Sequence, residues 1–232
     1  MDNVTRALPL SINPEGNAMT VRKRFISLLA LIFAVSGLVV APAAQATSST
    51  TAVDLECVPP FYFGDERLGP EDLDDVPEVV KELLYGYKRF GDEPNHIAFL
   101  AKYWGDNKWK YPPNDGFVGE PSMTELQPGD VVDRFGGPSG TFLALIGTPF
   151  EQRSLPPQSL NTCEYEPNVW QPNGYYRYKV ELPITVLSGI TAGWFGQPGG
   201  GTQLKILTPV GAPERWNVAW LVKNNYLTPI VG

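Results

Sequence analysis

Two arginines at the ends of apolar runs are the residues of this chain best placed to do chemistry. Arg134 follows Val131-Val132-Asp133 and leads into Phe135-Gly136-Gly137-Pro138-Ser139-Gly140, and Arg153 closes Gly147-Thr148-Pro149-Phe150-Glu151-Gln152. Val131-Val132 and residues 142–146 read as buried strands, with residues 136–140 as the turn between them. An arginine at a strand end beside a glycine-rich turn can aim its planar fork at an anion. The same placement suits a surface ion pair worth about 0–1 kcal/mol, so spacing alone leaves both readings open. Residues 195–203, Phe-Gly-Gln-Pro-Gly-Gly-Gly-Thr-Gln, add a second element. Three consecutive glycines let a backbone approach a ligand and expose N–H groups, although a loose hairpin turn has the same composition. Gln197 and Gln203 each bring an amide that both donates and accepts.

Other chemistry is missing. His96 is the one histidine, which argues against Ser-His-Asp, Cys-His and histidine-rich metal sites. Ser139 in Gly-Pro-Ser-Gly does not make a nucleophile elbow. Neither a Walker A motif nor a G-x-G-x-x-G fingerprint occurs. The acidic run Asp72–Glu78 lacks the spacing of a calcium loop and reads as a solvated face, so no metal is expected.

The elements that must position these residues begin after a leader. From Met19, a candidate true start, the chain has a basic Arg22-Lys23-Arg24, an apolar run over residues 25–40 and Ala44-Gln45-Ala46. This is the pattern of a secretory signal peptide, with cleavage expected after Ala46. The apolar run has 16 residues, short of the roughly 20 that span a bilayer, so no stable membrane insertion is expected. The expected division is 1–46 signal peptide, 47–109 linker and helical segment, and 110–232 catalytic core. Beyond residue 46 stand 14 Lys and Arg against 23 Asp and Glu, a net of −9, which disfavours nucleic acid as a partner. Residues 47–133 carry a net of −11 and residues 134–232 a net of +2, so an anion is better received by the second half. In an exported chain the two cysteines, Cys57 and Cys163, are expected to form a disulfide.

Pro77 begins an apolar three-and-four spacing through Val79, Val80, Leu83 and Leu84, and a second helix from Pro94 is expected to bury Ile97, Phe99, Leu100 and Tyr103. Together they predict an N-terminal helical hairpin. Later runs at Tyr175–Leu187, Ile190–Phe195, Gln203–Leu207 and Val218–Val222 read as strands. Helices followed by strands predict an α+β fold, with a β-rich core of two short antiparallel sheets and the hairpin packed against it.

Five blocks, residues 111–117 (YPPNDGF), 126–136 (LQPGDVVDRFG), 140–144 (GTFLA), 147–157 (GTPFEQRSLPP) and 194–203 (WFGQPGGGTQ), resemble in order the TNT family of the tuberculosis necrotizing toxin and secreted fungal surface NADases. Residues 84–91 resemble the region ahead of the core in the fungal-type enzymes. The resemblance implies a secreted NAD⁺ glycohydrolase releasing nicotinamide and ADP-ribose from NAD⁺ or NADP⁺, with no cofactor beyond that substrate. It implies Arg134 and Gln197 as catalytic residues, with Gln203 as the rival amide. Phe135, Phe142, Arg153, Trp194, Phe195 and Gln203 are expected to bind substrate, with Arg134 and Arg153 on the pyrophosphate and the aromatics on nicotinamide. Glu151 is a competing catalytic group. A histidine used by the mycobacterial toxin after the fourth block has no counterpart. A cognate immunity protein and a homodimer are further expectations; calcium is not, because residues 216–226 contain no acid. An ADP-ribosyltransferase or cyclase, or a non-catalytic binding module, is the alternative.

Overall fold

Short apolar runs such as residues 142–146, and an alternating one over 175–182, recur in the later chain, so its segments can pair into a sheet with a buried face. A computed structural model describes residues 56–166 and 169–230, within one unit spanning Thr51–Gly232. The expected signal peptide, 1–46, lies outside the described residues. Three α-helices, α1 (Glu78–Leu83), α2 (His96–Tyr103) and α3 (Val218–Lys223), accompany eleven strands among the described residues. The strands are β1 (Trp104–Gly105), β2 (Lys108–Trp109), β3 (Ser122–Leu126), β4 (Val131–Phe135), β5 (Phe142–Leu145), β6 (Cys163–Glu166), β7 (Val169–Gln171), β8 (Tyr175–Val180), β9 (Ile184–Ile190), β10 (Thr202–Ile206) and β11 (Leu227–Pro229).

The fold is β-rich, but the two short sheets expected from the sequence are not what forms. Seven strands join in the order β11-β8-β4-β5-β10-β9-β3, and β1-β2 and β6-β7 are separate two-stranded ribbons. Every neighbouring pair is antiparallel. Tyr175–Leu187 is two strands rather than one. Pro183, which has no N–H to give a ladder, lies in the break between β8 and β9. The predicted strand over Val218–Val222 is the helix α3. Asn217 caps it by accepting from the Trp220 N–H (2.8 Å), and the buried Val218 and Leu221 stand three residues apart, a helical period. Period-2 strands alone did not distinguish that spacing.

No helical hairpin forms either. Gly86 and Gly91 take positive φ (84° and 58°) after α1, and Asn95 starts α2 afresh by accepting from the Ala98 N–H (3.0 Å). The two helices then enter different cores. Val80 and Leu83 of α1 pack with Phe135, Phe150, Leu160 and Tyr175. Phe99 and Tyr103 of α2 pack with Leu68, Trp109 and Phe195. Ile97, expected inside, is exposed. The largest core lies on the opposite sheet face, where Val132, Leu143, Val180 and Leu204 meet Val218 and Leu221 of α3.

Cys57 and Cys163 are disulfide-bonded across 106 residues, as expected. Closing a loop of this length stabilises a fold by up to roughly 4–5 kcal/mol in the chain-entropy model. A Cys57→Ala, Cys163→Ala double variant is therefore expected to unfold at a clearly lower urea midpoint than the parent. Coincident midpoints would remove the disulfide from the forces that hold the fold.

Candidate active site

A cleft of about 670 Å³ opens where β4 and β5 meet the turn between them, and Arg134, Gly140, Phe142 and Gln203 are among its walls. Its size falls in the usual range for small-molecule sites, about 300–1,000 Å³. Gly136 ends β4 at φ +87°, a conformation open to glycine, and the chain turns back toward β5. Arg134 reaches over this turn. Its Nε donates to Gly136 O and its Nη1 to Phe142 O, both at 3.0 Å. A guanidinium has five N–H groups, so these carbonyls hold its plane and leave donors for a ligand. No ion pair among the described residues includes Arg134. Burial pulls its pKa below the ordinary arginine value, partly opposed by Tyr178, Tyr165 and Tyr176. A desolvated cation of this kind, with carbonyls but no carboxylate, is a ready receptor for an anion. Gly140 is the residue that lets it lie flat: a Cβ there would stand 2.5 Å from both Nη atoms.

Arg153 has the opposite fate. Its Nη1 and Nη2 donate to Asp133 Oδ1 (2.6 Å) and Oδ2 (2.9 Å), and its Nε and Nη2 donate to Thr148 O. Asp133 is fully buried and also accepts from the Tyr175 hydroxyl (2.9 Å). Burial, then the Asp133 charge, raise the Tyr175 pKa above its ordinary value and keep it a donor. The Arg153 side chain touches the cleft, but its fork is taken by Asp133. The fork expected to grip a pyrophosphate is thus engaged by the Asp133 carboxylate within the protein.

Gln203 stands on β10 opposite Ala144, and Lys205 stands opposite Phe142. Period 2 puts Gln203 and Phe142 on one sheet face, diagonal to each other. The Gln203 Nε2 donates to Asp115 O (2.8 Å), while Lys205 pairs with Asp115 Oδ2 (2.5 Å). The amide is thus held by its nitrogen in the cleft wall. Phe135 lies in the wall, packed edge-on against Phe150 (4.9 Å). Trp109, Tyr111 and Tyr165 complete the aromatic lining. No motif marks Trp109; the β1-β2 ribbon carries it there, and its Nε1 donates to Gln158 Oε1 (2.8 Å).

A family model described as tuberculosis necrotizing toxin matches residues 125–230. The conidial surface nicotinamide adenine dinucleotide glycohydrolase nadA of Aspergillus fumigatus is 38% identical over 180 residues, covering 72% of this chain and 70% of that protein. The chain belongs to the TNT family. The tuberculosis necrotizing toxin, solved in complex with its immunity factor IFT, shares the fold at a TM-score of 0.53 and 23% identity, over 75% of this chain and 92% of that one.

The TNT core places three of the sequence-selected residues outside the main cleft. Gln197 is buried, and its Nε2 donates to Lys88 O (2.7 Å). It lines a second hollow of about 450 Å³ with Glu151 and Trp194. Trp194 donates from Nε1 to Lys110 O (2.6 Å). Phe195 is wholly buried among Phe99, Tyr103 and Trp109. The expected convergence of Arg134, Arg153 and Gln197 on one cleft is met in part: Arg134 and Arg153 both line the cleft, with Gln203 rather than Gln197 beside them. Nor does the glycine loop offer its N–H groups to a ligand. Gly199, Gly200 and Gly201 donate to the carbonyls of Glu151, Thr191 and Gln152. Removing one partner of a buried ion pair costs about 3–5 kcal/mol. Arg153→Ala is expected to lose about that much in equilibrium urea unfolding, and wild-type stability in this variant would refute the structural role.

Proposed function

We propose that this chain is an NAD⁺ glycohydrolase, hydrolysing the bond between nicotinamide and ribose to release nicotinamide and ADP-ribose. The observation that carries the reading is Arg134, a half-buried cation without a carboxylate partner among the described residues, in the same cleft as the Gln203 amide and Phe142. The 38% identity to a glycohydrolase supports it. NAD⁺ leaves a neutral nicotinamide from a cationic ring, so the reaction needs little acid catalysis. It needs the ribose C1′ held, an oxocarbenium-like transition state tolerated and water delivered. Arg134 binds diphosphate oxygens. Phe142, with Trp109 and Tyr111, packs on the flat ring. Gln203 presents its carbonyl oxygen to a ribose hydroxyl or to the attacking water. Among the described residues Glu66 is the carboxylate in the cleft lining, and it accepts from Gln158 Nε2 (3.1 Å). Glu151 lines the second hollow, so the reading assigns the amide, not Glu151, to the reaction. NADP⁺ serves as an alternative substrate in the same proposal, and a proteinaceous inhibitor as a partner.

A fluorogenic etheno-NAD⁺ analogue tests the activity. Arg134→Ala and Gln203→Ala are each expected to lower kcat/KM at least about tenfold while keeping the native circular dichroism. Gln197→Ala is expected to lose about 1 kcal/mol of stability through the unpaired Lys88 carbonyl and to keep turnover per folded molecule. The reverse pattern would move the active site to the second hollow. Cyclic ADP-ribose or ADP-ribosylated protein as the main product would favour the cyclase or transferase reading.

The reading includes export. The name of the fungal relative places that protein at the conidial surface, and the leader pattern of residues 19–46 points the same way. Mass spectrometry of the secreted protein is expected to find Thr47 at the N-terminus; a chain retaining residues 19–46 would contradict cleavage.

A further inference from the structure

The loop between β10 and α3 brings a second guanidinium to the cleft. Arg215 lines the same cavity as Arg134 and is exposed. It too is absent from the ion pairs of the described residues. The chain is tied down directly after it. The Trp216 N–H donates to Thr208 Oγ1 (2.9 Å). The Val218 N–H donates to Gly140 O (3.1 Å) and the Ala219 N–H to Pro138 O (2.9 Å). Gly140 is the residue against which the Arg134 guanidinium lies. One short turn, residues 136–140, therefore carries Arg134 on its strand side and anchors the segment that bears Arg215.

We propose that Arg134 and Arg215 form a two-part clamp for a nucleotide diphosphate, and that Arg215 is the residue by which this protein distinguishes dinucleotides from mononucleotides. The proposal rests on the NAD⁺ reading of the cleft. A diphosphate bridge carries two negative charges, and Arg134 supplies one fixed, desolvated cation. Arg215 supplies the second from the rim, where its head remains hydrated until substrate arrives. Its long side chain loses rotamer freedom on binding, which limits its contribution; a charge-assisted contact to phosphate still outweighs that loss. Glu214 beside it is exposed and does not line the cleft. The assignment also accounts for charge placement. The positive second half of the chain presents Arg215 at the mouth, while Arg153 is consumed by Asp133.

Nicotinamide mononucleotide has the same scissile bond but one phosphate and no adenosine half, so it isolates the contribution of the clamp. Arg215→Ala is expected to raise KM for NAD⁺ about tenfold or more, with kcat within about twofold of the parent. Its KM for nicotinamide mononucleotide is expected to stay within about twofold. Arg215→Lys is expected to restore part of the loss, since a point charge replaces a fork. An unchanged KM for NAD⁺, or equal losses on both substrates, would overturn the clamp. Calorimetric titration with ADP-ribose separates this failure from failure of the NAD⁺ reading. A parent protein that cleaves nothing but binds ADP-ribose about tenfold more tightly than Arg215→Ala keeps the clamp and removes the hydrolase. Absence of ADP-ribose binding to the parent removes the clamp.

Discussion

The buried pair between Asp133 and Arg153 is the constraint on which the cleft depends. Its two bonds at 2.6 and 2.9 Å join β4 to the segment that ends at Arg153, and the Tyr175 hydroxyl adds β8 to the same carboxylate. Burying two charges is unfavourable unless their remaining lone pairs and protons find partners. Thr148 O and the tyrosine hydroxyl meet that need. The connection continues outward. Carbonyls of Glu151 and Gln152, just before Arg153, receive the N–H groups of Gly199 and Gly201. Gly201 is the residue ahead of β10, the strand that carries Gln203. This ion pair thus helps set the position of the strand that carries the amide.

The two arginines show how one residue type is given two tasks by its acceptors. A guanidinium opposite a carboxylate is neutralised and becomes a fastening. A guanidinium opposite two carbonyls keeps its full charge, and the field of that charge reaches the cavity. Arg134 is in the second condition because Gly136 and Phe142 offer carbonyl oxygens at 3.0 Å. Glycine at 140 leaves space for the fork to lie against the backbone. Phe142, Trp109 and Tyr111 add apolar surface to the lining of the same cleft, which strengthens any electrostatic contact made inside. The fold therefore concentrates positive charge at one place in a chain whose overall charge is −7.

The sequence determined the family, the disulfide partners, the strand-forming character of residues 131–135 and 142–145, and the types of side chain available to the cleft. These follow from local pattern: alternation, turn residues, and motif blocks kept in order. It did not distinguish Val218–Val222 as a helix, because an apolar run of five fits either period until a cap such as Asn217 is engaged. Nor did it choose between Gln197 and Gln203, which sit six residues apart in one glycine-rich stretch with the same chemistry. Tertiary structure separates the two: the register of β10 against β5 puts Gln203 on the sheet face of Phe142, while Gln197 bonds to the Lys88 carbonyl and lines a different hollow. It also decided the arginines. Their neighbours in sequence are alike, but their hydrogen-bond partners come from residues brought close by folding, Asp133 for Arg153 and Phe142 for Arg134. Local spacing specifies what a side chain can do, and long-range pairing specifies which groups remain free to do it.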